Sequence, residues 1–338
     1  MSEFHVTVVK LGPMVSHPNA DTLNITKVFD YQVITKKGGF QEGELVVYVP
    51  VDSVVPDVEE WHWLCPTNAD GKPNFPVGQV PEKYRVIEAK KLRGIFSQGM
   101  LAPLPKSVNK LNEGDDVTHI MGITKYEPPV SFTMSGDVES PPKGWAFSTY
   151  TDIEGMRRYP DIIQFEEEVV VTEKIHGCNG RYVHDGERLW VGSHTQIKKF
   201  DVNSLWWQAC NDRSMVFDLA PFHIFFGEVF GQVSDLKYGV KSGCKFRVFD
   251  VYDVKAQRYI DHDDAVAIAT RCRLEWVPTL YRGPWKPELN ELCEGQSVLA
   301  NNVREGFVVK PVKERWNQEI GRVILKRHGE GYLLRKKK

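Results

Sequence analysis

The chain has few of the features that would announce a specialised setting. Its six cysteines, Cys65, Cys178, Cys210, Cys244, Cys272 and Cys293, are scattered and form no Cys-x-x-Cys pair. That argues against a zinc site or a disulfide framework and suits a reducing cytosol. No apolar run approaches the roughly 20 residues of a membrane helix, so no membrane association is expected. The N-terminus lacks a charged-then-apolar signal pattern. The expected location is therefore the cytoplasm, or the nucleus in a eukaryote. Internal repeats and low-complexity segments are absent. Charge of one sign is also missing, because 43 Lys and Arg face 45 Asp and Glu for a net charge of −2. A nucleic-acid binder with this balance has no global positive field and must concentrate basic groups on one surface.

At 338 residues and 41% hydrophobic content, the chain has the size for two packed domains. Residues 1–127 read as a β-rich module. Short strands are expected at Phe4–Lys10, Ile25–Phe29, Tyr31–Thr35 and Leu45–Pro50, with turns at Lys36–Gly39 and Glu42–Glu44. Tyr84–Lys91 and Gly99–Leu104 are placed to close a small barrel. Lys83, Arg85, Lys90, Lys91 and Arg93 form one basic concentration, and Arg335–Lys338 form another. A charge run is often only a solvated face. Residues 128–144, rich in Pro, Ser and Gly, read as a linker. Residues 145–338 alternate strands with fewer helices, which are expected at Asp201–Asn211, His262–Leu274 and Pro287–Cys293. His184–Glu187 marks a hairpin turn. The fold class is α+β: an OB-like β-barrel followed by an α+β domain with antiparallel sheets.

The most informative segment is Glu173-Lys174-Ile175-His176-Gly177-Cys178-Asn179, directly after Val169-Val170-Val171. A strand that ends in a lysine and turns at a glycine presents one amine at the mouth of a pocket. Such an amine is a nucleophile once its pKa falls from about 10.4. By itself, a lysine at a strand end is most often only solvated. Four later segments follow in order: Phe225–Gly231, with Glu228 interrupting an apolar strand; Phe246–Tyr252; Glu305–Pro311; and Arg322–His328. A buried carboxylate such as Glu228 needs a partner. Alternation places Phe246 and Phe249 on opposite faces, with Phe246 toward the core.

In this order the five segments resemble the nucleotidyltransferase motifs of ATP-dependent RNA ligases, most closely the ligase 2-like kind with an N-terminal OB module. The segment His17–Leu23 is similarly like one in OB-fold tRNA-binding modules. The resemblance implies nick sealing between a 3′-hydroxyl and a 5′-phosphate through a covalent lysyl-AMP, with ATP and Mg²⁺ or Mn²⁺. The implied partner is RNA or an RNA-containing nicked duplex, bound by a monomer. Lys174 is the implied nucleophile, and neighbouring cations, Lys326 among them, are expected to lower its pKa. Glu173 would meet the adenine amino group, Glu228 the ribose, and Phe249 the adenine face. Asn179 would lie near a metal-bound water or phosphate, and Glu305 would be the metal-linked acid. Lys310 would approach the phosphates and Lys326 would neutralise the α-phosphate. Cys178 has no reactive partner and is expected to fill space.

Two departures stand out. Related ligases often carry an arginine where this chain has Ser193-His194-Thr195. His194 is the substitute donor to phosphate or ribose. The closing motif often has a second lysine where this chain has His328, and alternation points Arg327 away. A capping-type guanylyltransferase and a non-catalytic RNA-binding protein with a degenerate transferase domain are the competing readings.

Overall fold

The computed structural model describes residues 4–126, 137–140, 147–210 and 214–335. Most of the expected linker, and the tail residues 336–338, lie outside these. The chain divides into two compact units, Met1–Pro128 and Pro129–Lys338.

The first unit is built of short strands: β1 (Thr7–Lys10), β2 (Val15–Ser16), β3 (Leu23–Val28), β4 (Tyr31–Lys36), β5 (Leu45–Val49), β6 (Ser53–Val54), β7 (Lys90–Leu92), β8 (Ile95–Ser97), β9 (Met100–Ala102) and β10 (Thr124–Lys125). They form sheets ordered β1-β5-β9 and β2-β3-β4 and the pairs β6-β10 and β7-β8. Val and other β-branched residues fill them because such side chains pack well on a pleated surface. Val6, Val8, Val47 and Val49 lie in one buried cluster, and Val9, Val33, Val46 and Tyr48 in another. The expected strand at Tyr84–Lys91 is instead a 3-10 turn, Glu82–Tyr84, followed by β7. Phe29 is not in a strand; it sits at the β3–β4 turn with φ 52°.

The second unit holds a seven-stranded and a five-stranded sheet. Its strands are β11 (Val138–Glu139), β12 (Glu154–Gly155), β13 (Glu168–Lys174), β14 (Cys178–His184), β15 (Leu189–Gly192), β16 (Ile197–Lys198), β17 (His223–Gly231), β18 (Cys244–Asp253), β19 (Arg258–Tyr259), β20 (Thr279–Pro284), β21 (Gly306–Pro311), β22 (Trp316–Asn317), β23 (Gly321–Arg322) and β24 (Leu325–His328). The larger sheet runs β11-β16-β15-β14-β17-β18-β19 and the smaller β12-β24-β21-β13-β20; β22 pairs with β23. All pairings are antiparallel except β12 with β24. Helices are few: α1 (Leu205–Gln208), α2 (His262–Arg271) and α3 (Glu330–Leu333). The helix expected over Asp201–Asn211 shrinks to one turn, and that at Pro287–Cys293 is 3-10. Among the described residues no helix is long and apolar enough to cross a membrane.

The Val run of β13 is buried on both faces. Val169 and Val171 pack with Phe307, Val309 and Leu325 on one side. Val170 and Thr172 face a cleft on the other, together with Val308 of β21. Across that side, Val183, Trp190, Ile224 and Phe226 of the larger sheet cluster with Ile324. Each such side chain contributes roughly 1.5–3 kcal/mol on burial. The cleft is thus the gap that two packed sheets leave between them.

Candidate active site

Register places the reactive groups. In the antiparallel ladder Lys174 faces Gly306, and Gly306 faces His328. Glu305 enters just before β21, so its carboxylate meets the end of β13. Lys174 Nζ donates to Glu305 Oε1 at 2.7 Å. A Cβ at residue 177 would collide with the Val229 carbonyl oxygen, so glycine lets the chain turn tightly against β17.

The cleft holds about 680 Å³ of open volume, and its wall includes Lys174, Glu173, Asn179, Glu228, Phe249 and Lys310. Among the described residues, three side-chain atoms of this wall are buried without a hydrogen-bond partner: Glu173 Oε1, Asn179 Oδ1 and His262 Nδ1. Buried polar atoms normally have partners, so the unpaired set marks where a polar ligand fits. Glu173 is held by its other oxygen, which accepts from the Val298 N–H at 2.8 Å. Phe249 lines the cleft, whereas Phe246 is in the core, as alternation requires. Cys178 packs against that core, and burial raises its thiol to about 11.

The electrostatics correct one expectation. Burial alone would lower the Lys174 pKa, but the charges of Glu305 and Glu228 and the hydrogen bond to Glu305 outweigh it, and the net shift is upward. At neutral pH the deciding neighbour is the Glu305 anion, so the resting amine is protonated. For Glu305 burial pushes upward, but Lys174, His328 and His176 together hold it far below the usual carboxylate range. Glu228 goes the other way. Burial raises it to about 8, against the charge of Lys174 and with that of Glu305, so it carries a proton at neutral pH.

Glu305 Oε2 is also buried and unpaired. His176 Nδ1 lies 3.7 Å from that atom, and His328 Nε2 lies 3.5 Å from Oε1. His176 itself is fixed from outside the motif: Nε2 donates to Asp235 at 2.9 Å, and Nδ1 accepts from the Tyr332 hydroxyl at 3.0 Å. Tyr332 stacks on His328, and Arg335 lies over the Tyr332 ring at 3.7 Å. In the sequence Tyr332-Leu333 resembles the ending of a subgroup of RNA ligases and Arg335 opens a basic tail, but nothing there joins them to Asp235 or to His176.

Lys310 is not the solvated strand end or free phosphate ligand that its position suggested. It is buried and donates to Asp250 at 2.8 Å and Glu314 at 3.3 Å. Asp250 also takes Arg322 at 2.6 Å and the Tyr150 hydroxyl at 2.9 Å. Two carboxylates thus balance two cations beneath the cleft, which is the condition for burying charge. Lys326 faces Val308, which faces Thr172, so it lies on the cleft side of the sheet. Its side chain is half-buried and does not line the cavity. Arg327 faces Phe307, away from it. His194 sits in the β15–β16 turn outside the cavity wall, and burial lowers its pKa despite nearby Asp152.

In the first unit, Lys83, Lys90, Lys91 and Arg93 are exposed. Arg85 is not available to a phosphate: Nε donates to the Val80 carbonyl at 3.0 Å and Nη1 to that of Val55. His17 is buried and tied to the basic turn. Its Nδ1 accepts from the Asn19 N–H, Nε2 donates to the Leu92 carbonyl at 3.0 Å, and Asn19 reaches the Arg93 carbonyl at 3.1 Å.

Residues 167–328 match the RNA ligase family model. This segment is an RNA ligase domain. Residues 5–104 match an OB-fold domain. No curated protein matches the chain. Among solved structures the chain is similar to Naegleria gruberi RNA ligase with PPi, at 22% identity, TM-score 0.80, and 98% coverage of each chain. A lysine-to-alanine mutant of that ligase with ATP and Mn matches at 22% identity and TM-score 0.79, over 97% of this chain and 98% of that one. These likenesses establish the fold of both units. The ligase domain carries Lys174 of β13 and Glu305, just before β21, within its matched span, and the guanylyltransferase and non-catalytic readings are not favoured.

Proposed function

We propose that this RNA ligase domain uses ATP to join a 3′-hydroxyl to a 5′-phosphate in RNA or an RNA-containing nicked duplex. One observation carries the assignment: the Lys174 amine lines a cleft whose buried wall leaves polar atoms unpaired, while the other lysine of that wall, Lys310, is taken up by Asp250 and Glu314. The amine attacks the α-phosphorus of ATP; a P–N bond forms and pyrophosphate leaves. AMP then passes to the 5′-phosphate end, and the 3′-hydroxyl displaces it. All three steps are in-line displacements, governed by positioning and charge neutralisation.

Lys174 must leave Glu305 and lose its proton before it attacks. Phe249 and Val308 supply apolar walls for the base, and Glu173 Oε1 accepts from the adenine amine. Glu228, protonated at neutral pH, donates to a ribose hydroxyl. Lys326 neutralises the α-phosphate. Lys310 acts through Asp250, holding the wall. His328, 3.5 Å from Glu305, stands beside the site as a further donor.

Glu305 Oε2, with Asn179 Oδ1 through water, fits an oxygen-preferring divalent ion. Among the described residues no group of three or more His, Cys, Asp or Glu has metal-holding geometry. Mg²⁺ or Mn²⁺ here keeps most of its water, and when bound it supplies positive charge at the phosphates. The first unit binds RNA phosphates through Lys83, Lys90, Lys91 and Arg93. The protein acts as a monomer, in the cytoplasm or in a eukaryotic nucleus.

The test is intact mass after incubation with ATP and Mg²⁺ or Mn²⁺, for wild type and Lys174→Ala. A gain of one AMP in wild type alone is expected. No gain with either metal, in folded protein that is not already adenylylated, overturns the proposal.

A further inference from the structure

Two of the three unpaired atoms of the cleft wall have been given partners above, in adenine for Glu173 and in a metal-bound water for Asn179. The third belongs to His262, the first residue of α2. The side chain is buried, with 4% of the residue exposed, and it lines the cleft beside Lys310, Val170 and Val277. Its backbone N–H is spent on the Val312 carbonyl at 3.0 Å. Its ring stands edge-on to Trp276, centroids 5.5 Å apart at 82°. That contact fixes the ring plane and satisfies neither nitrogen. No ring nitrogen of His262 is hydrogen-bonded to a described residue. Burial holds its pKa at about 4, with Lys310 and Arg282 lowering it and Asp263 and Asp250 raising it, so the ring is neutral at physiological pH. A neutral imidazole offers one donor and one acceptor.

The cavity it faces has apolar walls, Val170, Val277, Val308, Ile324 and Phe249, with polar groups at intervals. An occupant that fits is flat, apolar on its faces and polar at its edge, which describes a nucleobase. We infer that His262 reads the base: its imidazole hydrogen-bonds a ring nitrogen of the purine and, with Glu173, selects adenine over guanine. The inference rests on the ATP reading above. Adenine presents an amine beside a ring-nitrogen acceptor. On the same N1 edge guanine presents a carbonyl oxygen beside an N–H. A carboxylate acceptor at 173 with a donor at 262 matches the first edge and opposes the second. The sequence hides this residue, because a histidine opening a helix reads as a solvated or capping group.

The experiment is the rate of lysyl-AMP formation with ATP, GTP and the 1-, 3- and 7-deaza analogues of ATP, for wild type, His262→Phe and His262→Gln. The phenylalanine keeps the packing on Trp276 and removes the hydrogen bond; the glutamine keeps a hydrogen-bonding group. The 1-deaza analogue should slow wild type about tenfold, the size of one net hydrogen bond, because only N1 differs as an acceptor between adenine and guanine beside the C6 substituent. His262→Phe should be slower with ATP by a similar factor, mainly through KM. It should be indifferent to that analogue and less selective against GTP. His262→Gln should recover part of the loss. Thermal melting without nucleotide establishes that each variant is folded. The inference falls if His262→Phe takes AMP as fast as wild type, or if every deaza penalty is as large in His262→Phe as in wild type. Wild type that takes no AMP from ATP sinks the ligase reading as well; wild type that is adenylylated while those penalties persist sinks only the role of His262.

Discussion

Lys174 and Glu305 are 131 residues apart in sequence, yet their side chains meet at 2.7 Å because β13 and β21 pair with Lys174 opposite Gly306. The Lys174 amine is therefore held at rest in an ion pair. Without that pair the amine would sit in a buried site that favours its neutral form.

Replacing Glu305 should change the acidity of Lys174 directly. In Glu305→Gln, an amine-reactive reagent should label Lys174 at lower pH than in wild type, read by peptide mass spectrometry without nucleotide. Sealing should be lost in the same variant, since the acid is gone. Labelling curves that superimpose would show that Glu305 does not set the resting state of the lysine.

Glu228 makes a prediction about stability and pH. Its folded pKa, about 8, is raised above the usual carboxylate value. The folded state therefore binds a proton that the unfolded state has released, and stability falls as pH rises from the unfolded pKa through about 8. Glu228→Gln removes this slope. The melting temperature of the variant relative to wild type should rise between pH 6 and pH 9. A constant difference across that range would place the glutamate in a more solvated setting.

Asp250 is the anion on which the buried network closes, accepting from Lys310, Arg322 and Tyr150. Asp250→Ala leaves two cations facing Glu314 alone. The expected cost is about 3–5 kcal/mol of stability, by urea unfolding. A loss below about 1 kcal/mol would mean that solvent or a rearranged Glu314 replaces the carboxylate.

The first unit separates two kinds of basic residue. Neutralising Lys90 and Lys91 should weaken RNA binding and reduce the salt slope by about 0.7 per lost single-strand contact, measured by titration at several salt concentrations. Arg85→Ala should leave that slope unchanged and lower thermal stability, because its guanidinium holds the Val55 and Val80 carbonyls.

Several parts of this molecule were legible from residue order alone. The Val run before Lys174, the single carboxylate in β17 and the aromatic–acid pair in β18 are local patterns, and local patterns survive folding as strands with fixed faces. Alternation correctly set Phe246 in the core and Phe249 in the cleft, and turned Arg327 away. The basic turn at 90–93 was visible for the same reason. What the sequence could not supply was partnership across long separations. That Lys174 rests against an acid, that Arg85 is consumed by two carbonyls, that Lys310 serves Asp250 and that His262 stands unpaired in the cleft wall all depend on strand register and sheet packing. A side chain's charge is written in the sequence, but its pKa and its freedom are set by what the fold brings within a few ångströms of it, and by how much water the fold removes.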